Sequence, residues 1–344
     1  MATDESTSAI DWEFAASVGG RLAGTGPILP PDEAAETVAE LREDAAIATG
    51  HVRNFTHLVA PYDVAPVLVV DRQRWVRANA QSFQSLMQPV VDKALGSRPS
   101  PALVKAAGAK VTGAELGGIL GFLSSKVLGQ FDPFHGEAGR LLLVAPNVVH
   151  IERELEVDPR DFRLWVCLHE ETHRVQFTAN PWLAAHLKAE IANLTGTLDM
   201  ATILDEGFGR IVEAFKPGGP TLMEVLSTPE QREVIDRITG VMSLLEGHAD
   251  VVMDGVGPAV IPSVDHIRTA FTGRRKGVGV LDRLIRRLMG MDAKMAQYRD
   301  GAAFVRTVVD KVGMDDFNAI WTGPDTLPSK AEIFDPETWV KRVL

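Results

Sequence analysis

The stretch from Asp158 to Pro181 constrains this chain more than any other. Asp158-Pro159 is a helix start: an aspartate at the cap position, a proline where the missing N–H costs nothing, and Asp161 in the first turn. Phe162, Leu164, Trp165, Val166, Cys167 and Leu168 then form a run too apolar for a surface helix. Asn180-Pro181 stops it, because a residue before proline avoids helical angles. Into the last third of this buried helix the sequence places His169-Glu170-Glu171-Thr172-His173, an H-E-x-x-H pattern. Left unpartnered, such groups cost about 1–3 kcal/mol each, and more when charged. The helix therefore predicts a partner for them.

That partner is predicted to be a metal ion. Residues i and i+4 lie one turn apart on the same helix face, so His169 and His173 can hold one ion together. Glu170 projects beside it, where it can take a proton from water. A catalytic zinc takes three protein ligands and keeps one position open. Gln176 and Ala179 stand where another zinc-binding pattern would carry a glycine and a third histidine, so the third ligand must come from elsewhere. Glu246, Glu190 and Glu206 are the candidates. Glu246 is preferred, because Glu246-Gly247-His248-Ala249-Asp250 sets two carboxylates one turn apart on a helix opened by the capping box Thr228-Pro229-Glu230-Gln231. Asp250 is then expected to hydrogen-bond a ligand histidine and fix its tautomer. Glu190 has the better spacing from His173 but no acid one turn later; Glu206 has its acidic neighbour on the wrong side.

His248 points about 200° away from Glu246 on a regular helix and is expected in the core, joining the site only if Gly247 breaks the helix. Tyr298, His248 and His266 are the candidates for stabilising an oxyanion. These readings predict a zinc-dependent hydrolase, a metallopeptidase acting on a peptide or small amide, with Glu170 as the base. The competing expectation is a non-catalytic zinc-binding or scaffold protein, whose metal would be closed by a fourth side chain.

The two segments His169 to Phe177 and Leu245 to Asp254 resemble a bacterial family of proposed zinc-dependent metalloproteases, some of whose members carry a label linking them to deazaflavin-coenzyme biosynthesis. Asp11-Trp12-Glu13-Phe14-Ala15-Ala16, Leu128-Gly129-Gln130-Phe131-Asp132-Pro133-Phe134 and Lys294-Met295-Ala296-Gln297-Tyr298 fit the same family. The pairing of H-E-x-x-H with a glutamate and a nearby aspartate is similar to the gluzincins, although Glu246 lies much further from His173 than is usual there. The resemblance implies a zincin-like metallohydrolase fold, mainly α with a small β-sheet. It implies no substrate. No G-x-G-x-x-G follows a strand, so nucleotide binding has no support.

Composition sets limits. With 344 residues, 45% of them hydrophobic, the chain can bury a large core. A net charge of −11 argues against nucleic acid or an anionic membrane as partner. The lone Cys167 excludes an internal disulfide and reads as buried packing. The polar, acidic first residues carry no signal-peptide pattern and no run reaches a membrane span, which predicts a cytoplasmic protein.

Along the chain, residues 1–10 are expected to be disordered and 11–344 to form a single large helix-rich metallohydrolase domain, with lobes 11–155 and 156–344 flanking a cleft. Ala65 to Asp71 is the best strand, Leu141 to Val144 a second, and Val148 to Ile151 a third candidate. Such a sheet beside the H-E-x-x-H helix offers an edge to an extended peptide. The four-residue repeat Gly117, Gly121, Ser125, Gly129 predicts a close helix approach. Residues 256–279 read as a long connection, and Arg283, Arg286, Arg287, Lys294 and Arg299 as a basic helix face.

Overall fold

The computed structural model describes residues 9–60, 65–95, 102–196, 228–276 and 291–344. Its elements are α1 (Trp12–Leu22), α2 (Pro31–Thr56), β1 (Val67–Val70), α3 (Arg72–Leu95), α4 (Ala102–Leu123), β2 (Gly129–Asp132), β3 (Arg140–Val144), α5 (Ala145–Leu155), α6 (Pro159–Ala179), α7 (Trp182–Gly196), α8 (Pro229–Val256), α9 (Val264–Lys276) and α10 (Met291–Val312), followed by short helical segments to the C-terminus. The architecture is mainly α with one small mixed sheet, as the sequence predicts. β3 is central, parallel to β1 (Val67 opposite Leu141) and antiparallel to β2 (Phe131 opposite Leu141), which leaves β1 and β2 as edges among the described residues.

The signals that open the metal-bearing helices work as read. The Asp158 carboxylate accepts from the Asp161 N–H at 3.0 Å and starts α6. Asp161 in turn accepts from the N–H and hydroxyl of Ser263, tying this end of α6 to the start of α9. Thr228 and Gln231 form the expected capping box on α8. Both faces of α6 are covered: Phe162, Cys167, Leu168 and Val175 are buried in the main core, which also takes in Leu41, Leu143, Leu244, Phe304 and Trp339. α6 packs against α2, α5, α8, β2 and β3. A separate apolar cluster built on Ala16, Trp75, Val76, Leu120 and Leu142 joins α1, α3 and α4 to β3.

Two close helix crossings depend on glycine. A Cβ on Gly117 or Gly121 would lie 2.5 or 2.8 Å from the carbonyl oxygen of Ala15 or Gly19, so the small residues of α4 seat α1. The predicted stripe is thus real at Gly117 and Gly121, with Gly113 extending it. α4 ends at Leu123, however, and Gly129 belongs to β2. The second crossing joins α8 to α10, where a Cβ on Gly247 would meet the Gly301 carbonyl carbon at 2.1 Å. Gly247 therefore marks backbone contact in an unbroken helix, and the helix break considered for it does not occur.

Three expectations need correction. Val148 to Ile151 is not a strand but the middle of α5: Pro146 sits in the first helical turn, and Val148, Val149 and Ile151 turn inward at helical spacing. The connection over 256–279 contains α9, whose Val264 and Ile267 are buried. Ile10, expected to be disordered, packs against Trp12 and Val91. Arg283, Arg286 and Arg287 lie outside the described residues. Among the described residues no helix is long and apolar enough to cross a membrane.

Candidate metal centre

α6 and α8 cross so that three ligand atoms face one another. His169 Nε2 lies 3.3 Å from His173 Nε2, and Glu246 Oε2 lies 3.6 and 3.5 Å from those two atoms. The imidazole rings stand nearly perpendicular, at 86°. Ligands at about 2.0–2.2 Å from a tetrahedral zinc lie about 3.3–3.6 Å from each other. The observed triangle therefore has the dimensions of one face of a zinc tetrahedron. Among the described residues no fourth His, Cys, Asp or Glu completes this group. Solvent reaches it on the His169 side, where the side chain is 31% exposed against 14% for His173 and 13% for Glu246.

The two glutamates of the motif have separate environments. Glu171 is fully buried, accepting from the Thr49 hydroxyl at 2.8 Å and from Arg174 Nε at 2.7 Å. Arg174 also donates to the Ala65 carbonyl. This ion pair fastens α6 to α2 and to the approach to β1. Glu170, also buried, lies under Gly129 of β2: a Cβ there would be 2.5 Å from Glu170 Cγ and 2.9 Å from Oε1. Only a glycine lets the strand lie so close to this carboxylate.

Burial and crowded acids together set the electrostatics of the site. Burial, with the charges of Glu246 and Glu171, pushes the Glu170 carboxyl up to about 8 against the opposing pull of His173. Burial opposes charge on His173, but Glu246, Glu170 and Gln176 outweigh it and raise the imidazole to about 9. A divalent cation among these atoms would offset the negative charge of Glu246, which contributes to both shifts. The donor set, two imidazoles and a carboxylate, is one that zinc accepts.

The remaining predicted residues are distributed as follows. Asp250 does not approach either histidine; it pairs with Arg268 at 3.2 Å and Arg306 at 2.9 Å, and Asp254 pairs with the same two arginines. An i+4 step rotates a side chain by about 40°, enough to carry Asp250 past the site toward α9 and α10. Glu190 is also elsewhere, in an ion pair with Arg237 at 2.8 Å. Glu206 lies outside the described residues, as does the side chain of Tyr298 on α10. His266 is exposed on α9.

His248 is fully buried, its ring 5.7 Å from Phe317 and 5.4 Å from Trp321, and burial with the charge of His173 lowers its pKa to about 3. Among the described residues it is linked to the site through Gln176, which sequence reading missed. Gln176 Oε1 lies 2.9 Å from His173 Nδ1, while Nε2 lies 3.0 Å from both the Leu245 carbonyl oxygen and His248 Nδ1. Its position three residues after His173, on the same helix face, was the available signal.

The profile of the family described as zincin-like metallopeptidase matches residues 10–340, and the chain belongs to that family. A crystal structure from Chloroflexus aurantiacus, described as "a putative hydrolase with a novel fold", superposes with a TM-score of 0.71 at 31% sequence identity, covering 97% of this chain and 98% of that one. No curated protein sequence matches the chain.

Proposed function

We propose that this protein is a zinc-dependent metallopeptidase with His169, His173 and Glu246 as the metal ligands and Glu170 as the general base. The observation that carries this reading is the triangle of ligand atoms, 3.3, 3.5 and 3.6 Å on its sides, with a buried carboxylate beside it. Zinc held there supplies Lewis acidity, lowering the pKa of water toward ~7 and polarising a carbonyl.

Glu170 accepts the proton of the attacking water and passes it to the departing amine. Its burial under Gly129 keeps it from competing solvent. Among the described residues β2 is an edge strand running past Glu170, and an extended peptide is positioned by pairing with that edge. Among the described residues no fourth ligand joins the three, which favours this catalytic reading over a structural metal. The substrate is a peptide or small amide; the net charge of −11 disfavours nucleic acid.

Glu170→Gln tests the assignment. The variant keeps a full zinc complement and loses hydrolysis of a peptide library by at least 10²-fold, in the range of a lost general base. Undiminished turnover would overturn the role given to Glu170.

A further inference from the structure

We propose that Gln176 is the positioning residue that selects the zinc-competent form of His173, and that Leu245 and His248 set its amide to do so. The inference rests on the metal-centre reading above and extends it to residues that touch no metal.

The argument turns on which end of an amide can face which neighbour. The Leu245 carbonyl oxygen can only accept, so the Gln176 atom 3.0 Å from it must be the NH2 nitrogen. That fixes the amide without appeal to hydrogen positions. The second N–H of the same nitrogen points to His248 Nδ1, which therefore accepts and carries its proton on Nε2. Gln176 Oε1 is then left facing His173 Nδ1 at 2.9 Å, and this ring nitrogen must be the donor. With its proton on Nδ1, the neutral ring has its lone pair on Nε2, the atom 3.3 Å from His169 Nε2 and 3.5 Å from Glu246 Oε2. A backbone carbonyl on α8 thus dictates, through one side chain on α6, which nitrogen of His173 meets the ion.

The chain of contacts is also mechanically stiff. Gln176 and His248 are both fully buried, and His248 is clamped by Phe317 and Trp321. Leu245 precedes Glu246, so the amide links the third ligand's own helix turn to a histidine ligand on the facing helix. A carboxylate or carbonyl usually orients a metal-bound histidine. Here the carboxylate placed to do so in sequence, Asp250, is occupied by Arg268 and Arg306.

The test is zinc affinity, measured by competition with a chromophoric chelator, together with ring N–H signals in zinc-loaded protein labelled with 15N-histidine. In the wild type His173 binds through Nε2 and its Nδ1–H gives a solvent-protected downfield signal. Gln176→Leu, similar in size, weakens zinc about 10–100-fold and exposes that proton to exchange. Coordination of wild-type His173 through Nδ1 overturns the proposal, and this measurement needs no variant. A zinc affinity within about threefold of wild type in Gln176→Leu overturns it too, leaving the metal centre intact. A wild type that binds no zinc overturns the metal-centre reading and this relay with it.

Discussion

Replacing Gly129 by alanine adds one methyl group between β2 and the proposed base, and its effect can be worked from the contacts. The new Cβ would lie 2.5 Å from Glu170 Cγ, 2.7 Å from Cδ and 2.9 Å from Oε1. Non-bonded carbons rest about 3.5–4.0 Å apart, so the side chain must give way by about 1 Å. Glu170 is buried, with little room to swing, and the displacement falls on its carboxylate. A misplacement of about 1 Å at a catalytic group costs on the order of 10²-fold in rate, or about 2.7 kcal/mol of barrier. The three atoms nearest the new methyl all belong to Glu170 and none to a proposed ligand, so zinc stoichiometry stays at the wild-type value.

The assay pairs peptide-library turnover with zinc content, using Gly118→Ala as control. A methyl on Gly118 meets nothing within 4 Å, and alanine there is expected to stabilise α4 by about 0.5–1 kcal/mol. Wild-type turnover in Gly129→Ala would refute the placement of Glu170 beneath β2. Loss of zinc in that variant would refute the separation of base from ligands.

Other consequences can be checked independently. Asp44 is buried, and its pKa is raised from 3.8 to about 6 by burial first and by the neighbouring Glu40 second. The folded state therefore binds this proton more tightly than the unfolded one, and the associated stability, present below pH 3.8, is lost as pH rises through 6. Asp44→Asn should flatten the stability profile between pH 4 and 6 and raise stability at pH 7 by about 1–3 kcal/mol, read by denaturant titration; an unchanged profile would contradict it. Gly301→Ala puts a Cβ 1.9 Å from the Ser243 carbonyl oxygen, forcing α8 and α10 apart. Calorimetry should show a Tm lower by several degrees, for an overpacking cost of about 1–3 kcal/mol or more, with weaker zinc binding because Glu246 rides on α8; a Tm equal to wild type would show that the crossing yields freely.

The parts legible in sequence are those set by local rules. Asp158-Pro159 and Thr228-Pro229-Glu230-Gln231 announce α6 and α8 because capping depends on three or four consecutive residues. Glu246 is readable across the 73 positions from His173 because it opens an E-x-x-x-D pair on a helix that its capping box announces. Long-range choices were not legible. Asp250 has the right spacing from Glu246 but finds Arg268 and Arg306, which only the packing of α9 and α10 brings near. Gln176 entered the sequence argument as a residue that is not glycine, and its amide gains meaning only when Leu245 and His248 arrive from the facing helix. Val148 to Ile151 misled because β-branched residues also pack well on one face of a helix that Pro146 helps to start. Gly129 looked like the end of a small-residue stripe, whereas its reason is the carboxylate beneath it.

Metal content tests the central claim most directly. Elemental analysis of chelator-free wild type, His169→Ala and Glu246→Ala is predicted to give about one zinc per chain in the wild type and none retained in either variant, as three ligands to one catalytic ion require. A wild type that takes up no zinc even after reconstitution, or a Glu246→Ala variant that keeps its zinc at wild-type affinity, would contradict the metal centre assembled from α6 and α8.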